Sequence, residues 1–371
     1  MQNFIIKELV TSNIESELEK IGFDIAYRAQ ASDKFRYKTL KIYDLTIPQA
    51  NILKQTALSF GADCGLHREV LVNKIEKTDV ILGGSYSQLK KICEKLAQQP
   101  FSLKVLAEKI LSNLKNKECK TKIVGILNVT PNSFSDGGKY IEVDKAIEHF
   151  YQLVEDGADM IDIGAESTKP YADPVLPEVQ IERLKPILNT VKKCNLPISV
   201  DTRDAKVARY ALENGATIIN DVSGMEFDPK IIDVVAQFNA GIILQHSTFK
   251  TEDKPLYIDV VDDVYKSLYE KIIIAKEKGV ENIIVDVGIG FGKGKEDCFE
   301  LLNRIEEFFT LNTPIMVGLS RKSFMNIDND DNNLKDAVSL ALSYPLVQKG
   351  VDYIRVHNVK LFRQLLNSVI Y

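Results

Sequence analysis

The sequence is short of the residues that build stapled or metal-bound scaffolds. Its five cysteines (Cys64, Cys93, Cys119, Cys194 and Cys298) are scattered, odd in number and without a CxxC pair. That pattern indicates neither a disulfide framework nor a zinc knuckle, and it points to a reducing cytoplasm. No basic block occurs. With 47 basic against 52 acidic residues, the net charge is -5, and nothing offers a basic surface to nucleic acid or to an anionic membrane. A small-molecule partner is the expectation. No stretch reaches the roughly 18 apolar residues of a membrane span, and MQNFIIKELV lacks the basic start and long apolar core of a secretory leader. Two phosphate-binding signatures are missing as well. In VDVGIGFGKG (285–294) Lys293 is not followed by Ser or Thr, so this is no Walker loop, and the run is not expected to open a helix as a dinucleotide fingerprint does.

What is present describes an ordinary globular chain, 45% hydrophobic and 27% charged, with ample material for a core. At 371 residues two domains are expected. The first, 1–118, reads as a small α/β domain of unassigned role. Strands are expected at 4–10 and 38–45, helices at 12–22 and 48–61, a buried strand at 79–83, then helices at 87–98 and 103–115. The charged run 115–122 reads as the linker, with the boundary near 118–121. Cys64 and His67 lie close in sequence and read as a surface turn.

From Lys122 the chain changes character. Eight apolar runs, at 123–129, 160–165, 198–201, 218–222, 241–245, 283–287, 315–319 and 353–356, alternate with amphipathic helical segments such as 144–156, 179–193, 206–214, 258–278 and 334–349. The first run is mostly β-branched and unbroken by charge, as in a parallel strand covered on both faces. The 250 residues from Lys122 to Tyr371 match the roughly 250 of a (β/α)8 barrel. A doubly wound open sheet is the alternative, though it more often stops at five or six strands. The domain 119–371 is therefore expected to be a TIM barrel.

The polar residues fall at the C-terminal ends of these runs. They are Asn128; Glu166, Ser167 and Thr168; Asp201 and Arg203; Asn220 and Asp221; Gln245 and His246; Asp286; Ser320, Arg321 and Lys322; Arg355 and His357. In a barrel those ends share one face. A single Asn or Ser there is ordinary strand capping. Asp201, Asp286, Lys322 and Arg355 together point to a ligand, because buried charges without partners are costly. Glu166 reads either as an acid or base or as half of an internal ion pair, and His149, in mid-helix, as a surface or packing residue. After the first run Pro131 ends the strand, and a polar loop to Gly138 carries Phe134 with no periodic apolar neighbour. That ring either meets a ligand or anchors the loop.

NVTPNSFSDGG (128–138), ESTKP (166–170), DTRDAKVARYALENGATIINDVSG (201–224), DVGIGFGK (286–293), GLSRKSF (318–324) and RVHNV (355–359) resemble, in order and one per strand end, the motifs of the dihydropteroate synthases, pterin-binding enzymes of folate biosynthesis. The resemblance covers 122–371 and leaves the first region unexplained. It implies a transferase that condenses p-aminobenzoate with 6-hydroxymethyl-7,8-dihydropterin pyrophosphate, with sulfonamides as competing analogues, Mg2+ as cofactor and a homodimer as the assembly.

By the same resemblance Asp201, Asn220, Asp286 and Lys322 hold the pterin. Asn128, Arg355 and His357 bind the pyrophosphate, with Asn128 also ligating Mg2+. Phe134, Asp136, Thr168, Pro170, Phe291 and Ser323 line the aminobenzoate site. Asp201, Lys322, Arg355 and His357 form the catalytic set. The chain departs from the family pattern at Lys169, Gln245, Val287 and Asn358, none of which carries one of these roles, and Asp328–Asn333 reads as a solvated acidic loop. A pterin-binding methyltransferase domain acting on methyltetrahydrofolate would use the same barrel. The 128–138 loop and Lys322 within SRKSF favour the synthase, and the intact charged set disfavours a non-catalytic pterin sensor.

Overall fold

A computed structural model describes residues 5–9, 14–72, 74–115, 120–129, 139–166, 175–192, 194–248, 257–327 and 331–369. The chain divides into two units, Met1–Asn116 and Lys117–Tyr371.

The first unit holds an antiparallel sheet of β1 (Tyr37–Thr46), β2 (Asp63–Leu66) and β3 (Lys77–Ser85), in the order β1-β3-β2. Along β3 burial alternates, with Thr78, Val80 and Leu82 inward and Lys77, Asp79 and Ile81 outward. The strand expected to be buried on both faces is thus half solvated, as suits an antiparallel sheet covered on one side. Its inner face joins Leu40 and Leu45 in packing against the helices Ile47–Ser59, Tyr86–Leu96 and Leu103–Ser112, through Leu53, Leu89, Ile92 and Ile110. Ser85 and Gln88 close a reciprocal cap at the start of the second of these, each accepting the other's backbone N–H.

Three details differ from expectation. Residues 5–9 carry no regular structure and expose Ile5 and Ile6, since no described strand lies beside them to pair with. The short β2 was unforeseen, as was the helix Arg28–Phe35, whose sequence RAQASDKF has no apolar stripe. His67 Nδ1 accepts the N–H of Glu69 and so caps a turn.

The second unit is a closed parallel barrel of β4 (Lys122–Asn128), β5 (Met160–Gly164), β6 (Ile198–Asp201), β7 (Ile218–Asp221), β8 (Gly241–Gln245), β9 (Ile283–Asp286), β10 (Ile315–Gly318) and β11 (Tyr353–Val356). Pairing of Tyr353 with Lys122 and Arg355 with Val124 joins the last strand to the first. The period of two divides each strand between two cores. Outward-facing Ile123, Ile161, Val200, Ile219, Leu244, Val285, Val317 and Ile354 pack under the surrounding helices. Inward-facing Val124, Met160, Ile218, Ile243, Ile284 and Met316 form a separate apolar floor inside the barrel.

Strand-to-helix turns are set by local chemistry. Asp204 accepts the N–H groups of Lys206 and Val207 to start the helix Ala205–Glu213, and Asp259 does the same for Val260–Glu277. The loop 288–294 leads directly into a helix, Lys295–Asn303, with the Gly294 N–H on Asp297 Oδ2. That corrects the expectation that this glycine run would open none; a charged first turn, KED, had hidden the start. No helix among the described residues is long and apolar enough to cross a membrane.

Because the barrel closes within the second unit and its floor draws on six of its own strands, a fragment of residues 117–371 is expected to fold alone. Chemical denaturation should give one cooperative transition, coincident by fluorescence and circular dichroism. Separate transitions by the two probes would mean that the barrel needs the first unit to hold its structure.

Candidate active site

One inward-facing residue above the apolar floor, β5 to β9 turn polar, whereas β4 and β10 present Ile126 and Gly318. Asp162, Asp201, Asn220, Gln245 and Asp286 are all buried, and Arg355 reaches in from β11. Arg355 Nε donates to Asp162 Oδ2 at 2.7 Å and its Nη2 to Asp201 Oδ2 at 3.2 Å. The same Asp162 oxygen accepts from Asn220 Nδ2 at 2.9 Å. Asp201, Asn220, Gln245, Asp286, Phe291, Lys322 and Arg355, with Val222 and Gly318, line one pocket at this end of the barrel.

The electrostatics follow from burial. Asp201, desolvated and beside the charge of Asp162, is pushed up to about 8 against the pull of Arg355. Burial likewise raises Asp286, offset by Lys322 and by the Gly288 N–H that its Oδ1 accepts at 2.7 Å. Lys322 is lowered to about 8 by loss of solvent, with Asp286 opposing. Its ammonium donates to the Ile289 carbonyl at 2.6 Å and sits 4.6 Å from the centre of the Phe291 ring. Burial works against the charge of Arg355, but Asp162 and Asp201 outweigh it and raise its pKa. Two acceptors, Asp201 Oδ1 and Asn220 Oδ1, are buried with no partner among the described residues. Such atoms are costly to leave unpaired, and here they sit on residues of a pocket wall.

The loop 288–292 is held from inside by Lys293. Its buried Nζ donates to the carbonyls of His246, Gly288 and Phe291 at 3.1, 3.0 and 3.2 Å, and burial lowers it to about 7. Gly288 has φ +69°, and a Cβ there would lie 1.8 Å from the His246 carbonyl oxygen, so only glycine lets the loop approach β8 this closely.

A family model described as pterin binding enzyme matches residues 124–357. The chain is 32% identical over 365 residues to a bifunctional dihydropteroate synthase/dihydropteroate reductase of Helicobacter pylori, covering 96% of this chain and 95% of that protein. The chain belongs to the pterin-binding enzyme family. It also matches a probable bifunctional folylpolyglutamate synthase/dihydropteroate synthase of Haloferax volcanii, 35% identical over 341 residues, which cover 84% of this chain but only 40% of the relative's length. A solved dihydropteroate synthase of Xanthomonas albilineans, determined with 4-aminobenzoic acid, superposes with a TM-score of 0.63 at 36% identity, covering 67% of this chain and 92% of that one.

Of the residues that the family resemblance singled out, Asp201, Asn220, Asp286, Phe291, Lys322 and Arg355 meet in the pocket. Asn128 ends β4 beside Gly164, where an added Cβ would lie 3.3 Å from its Oδ1 and 3.7 Å from the Asp201 Cβ. His357 and Ser323 are not in the lining. His357 Nδ1 lies 2.9 Å from Ser320 Oγ, and burial holds the imidazole down at about 3. Ser323 is exposed at the head of a short turn, Ser323–Met325. Phe134, Asp136, Thr168 and Pro170 lie outside the described residues.

Other strand-end charges are structural. Glu166 accepts from Arg203 Nη2 at 3.1 Å and from the Val175 N–H, which decides for the internal ion pair. Asp221 caps its own turn through Ser223 and Met225. Arg321 makes a two-point pair with Asp336. Asp162 and Lys293 were missed. Asp162 did carry a signal, a carboxylate within the buried run MIDIG.

His246, buried at the end of β8, is held down to about 2, first by desolvation and then by the charges of Lys293 and Lys271. Its folded value lies below the usual 6.5, so the stability it contributes is complete above pH 6.5 and is lost as pH falls through that value toward 2. Between pH 7 and 5 the wild type should lose about 2 kcal/mol that His246→Gln does not. Denaturant midpoints of both proteins at the two pH values test this; equal losses would contradict a neutral buried imidazole.

Proposed function

We propose that the barrel is a dihydropteroate synthase. A C–N bond forms between the amine of p-aminobenzoate and the pterin methylene, the C–O bond to pyrophosphate breaks, and the amine loses a proton, giving 7,8-dihydropteroate and pyrophosphate. The observation that carries this reading is the pair of buried acceptors, Asp201 Oδ1 and Asn220 Oδ1, that have no partner among the described residues, in a pocket that also holds Asp286 and Lys322. An aminopyrimidinone ring presents adjacent N–H donors to such acceptors, and donating to Asp201 favours the ionised form that burial opposes.

In this reading Asp201, Asn220, Asp286 and Lys322 hold the pterin. Arg355, whose Nε and Nη2 are committed to carboxylates, turns its remaining N–H groups to the pyrophosphate with Asn128 and His357. Charge grows on that leaving group as the C–O bond breaks, so donors aimed at it act on the transition state. An aromatic amine is neutral at pH 7 and needs no strong base to attack. Phe291 and Ser323, with Phe134, Asp136, Thr168 and Pro170, serve the aminobenzoate.

The donor set suits Mg2+. Among the described residues no group of three or more His, Cys, Asp or Glu could cage a metal, and Mg2+ is commonly held by few protein oxygens plus substrate phosphates. Asn128 Oδ1 would be its protein ligand, and the ion would neutralise pyrophosphate charge. A homodimer belongs to the same proposal.

The test combines the protein with the pterin pyrophosphate, p-aminobenzoate and Mg2+ and follows dihydropteroate and pyrophosphate together. Equimolar products are expected. Asp286→Asn, which keeps shape but loses an acceptor, should mainly raise KM for the pterin substrate, with a smaller change in kcat. No product from authentic substrates would overturn the reading, and binding of methyltetrahydrofolate instead would favour the methyltransferase alternative.

A second reading adds a reductase. The Helicobacter pylori relative bears that activity in its name, and the match to it extends through the first unit as well as the barrel. A reduced nicotinamide or flavin would deliver hydride to the C=N bond of dihydropteroate, with a proton added at nitrogen. Incubation with dihydropteroate and NADPH, with and without added flavin, tests it; no oxidation of the donor would remove the second activity.

A further inference from the structure

Asp162 is fully buried and has no role in the proposed chemistry, yet it touches two groups that have one. Its Oδ2 accepts from Arg355 Nε at 2.7 Å and from Asn220 Nδ2 at 2.9 Å. Its Oδ1 has no partner among the described residues. All the bonding of this carboxylate is therefore directed at one guanidinium and one amide, which the reading above assigns to the pyrophosphate and to the pterin.

Stability does not explain the charge. In register beside Asp162 stand Ile126 on β4 and Ser199 on β6, so uncharged side chains are accommodated at this level of the barrel. Taking an ion pair out of water offsets most of its attraction, and apolar replacement is often neutral or stabilising. What a carboxylate supplies here is direction. Arg355 has a long, rotatable stem, and bonding Nε to Asp162 and Nη2 to Asp201 fixes the plane of its guanidinium. The Asn220 amide has a donor end and an acceptor end. By taking the donor, Asp162 leaves Oδ1, the buried unpartnered atom, as the end offered by this pocket-lining residue.

We infer that Asp162 is a positioning residue, setting the plane of Arg355 and the amide orientation of Asn220 without touching substrate itself. The inference rests on the synthase reading for the roles of those two partners. Its test uses the full chain, with Asp162→Asn, which removes the charge at constant shape, and Asp162→Glu, which keeps the charge but moves the carboxylate by one methylene. Each is compared with wild type for kcat, for KM of both substrates, and for calorimetric binding of 6-hydroxymethylpterin, which lacks the pyrophosphate.

Both variants should lose on the order of 10- to 100-fold in kcat, the scale of a small misplacement of a reacting group. Both should bind the bare pterin about tenfold more weakly, through Asn220, while KM for p-aminobenzoate stays within about twofold. Wild-type values in both variants would overturn the inference. So would equal losses in kcat, in both KM values and in pterin binding, which mark general loosening, or an unfolded Asp162→Asn beside a fully active Asp162→Glu, which would mean that charge alone matters. A wild type that binds the pterin but forms no dihydropteroate would sink the synthase reading while leaving the pterin titrations to decide on Asp162.

Discussion

The guanidinium of Arg355, spanning Asp162 and Asp201, is the interaction on which the rest of the site depends. Arg355 comes from the last strand of the barrel, and its two carboxylates come from the second and third. β11 pairs with β4 to close the barrel, so the bridge ties the last strand to the second and third. Removing one member of such a buried network leaves charge uncompensated, typically at a cost of about 3 to 5 kcal/mol. The network also concentrates negative charge. Three aspartates, Asp162, Asp201 and Asp286, face two cations, Arg355 and Lys322, and the pKa of Asp201 is raised first by burial and then by the neighbouring charge of Asp162. A ligand rich in N–H donors relieves the imbalance better than an anion would at this depth, which agrees with the proposal, drawn from the family resemblance, that the pterin sits in this layer.

The polar layer stands on the apolar floor of Val124, Met160, Ile218, Ile243, Ile284 and Met316, which keeps water from beneath. Its wall on the β9 side is the loop 288–292, clamped by Lys293 from within and by Lys322 from the pocket. Lys322 thus has two tasks, holding the Ile289 carbonyl and presenting an ammonium beside Asp286 and Phe291. Placement by strands and by a bonded loop suits a site that must keep its donors fixed while charge moves on the substrate.

Much of this was legible in the residues, because the signals were local. Each barrel strand announced itself by a short β-branched run ending in a polar residue, and a period of two then dictates that Asp201, Asn220 and Asp286 point inward together. Asp162 was harder to read: it lies within a run rather than at its end, and its meaning comes from Arg355, 193 residues away. Lys293 was read only for what it was not, since its three acceptors are backbone carbonyls that leave no side-chain pattern. In the first unit the apolar stretch near the N-terminus looked like a strand, but a strand exists only where a neighbour offers hydrogen bonds. His357 and Ser323 carry family-derived roles that the described geometry leaves outside the pocket lining.

The buried layer around Arg355 is, in the reading proposed above, a seat for a pterin ring. The most direct measurement is a crystal structure of the full chain with 6-hydroxymethylpterin. Ring N–H groups are expected within hydrogen-bond distance of Asp201 Oδ1 and Asn220 Oδ1, with Arg355 still bonded to Asp162. A pterin bound elsewhere, or an Arg355 that leaves Asp162 to let the ring in, would contradict it.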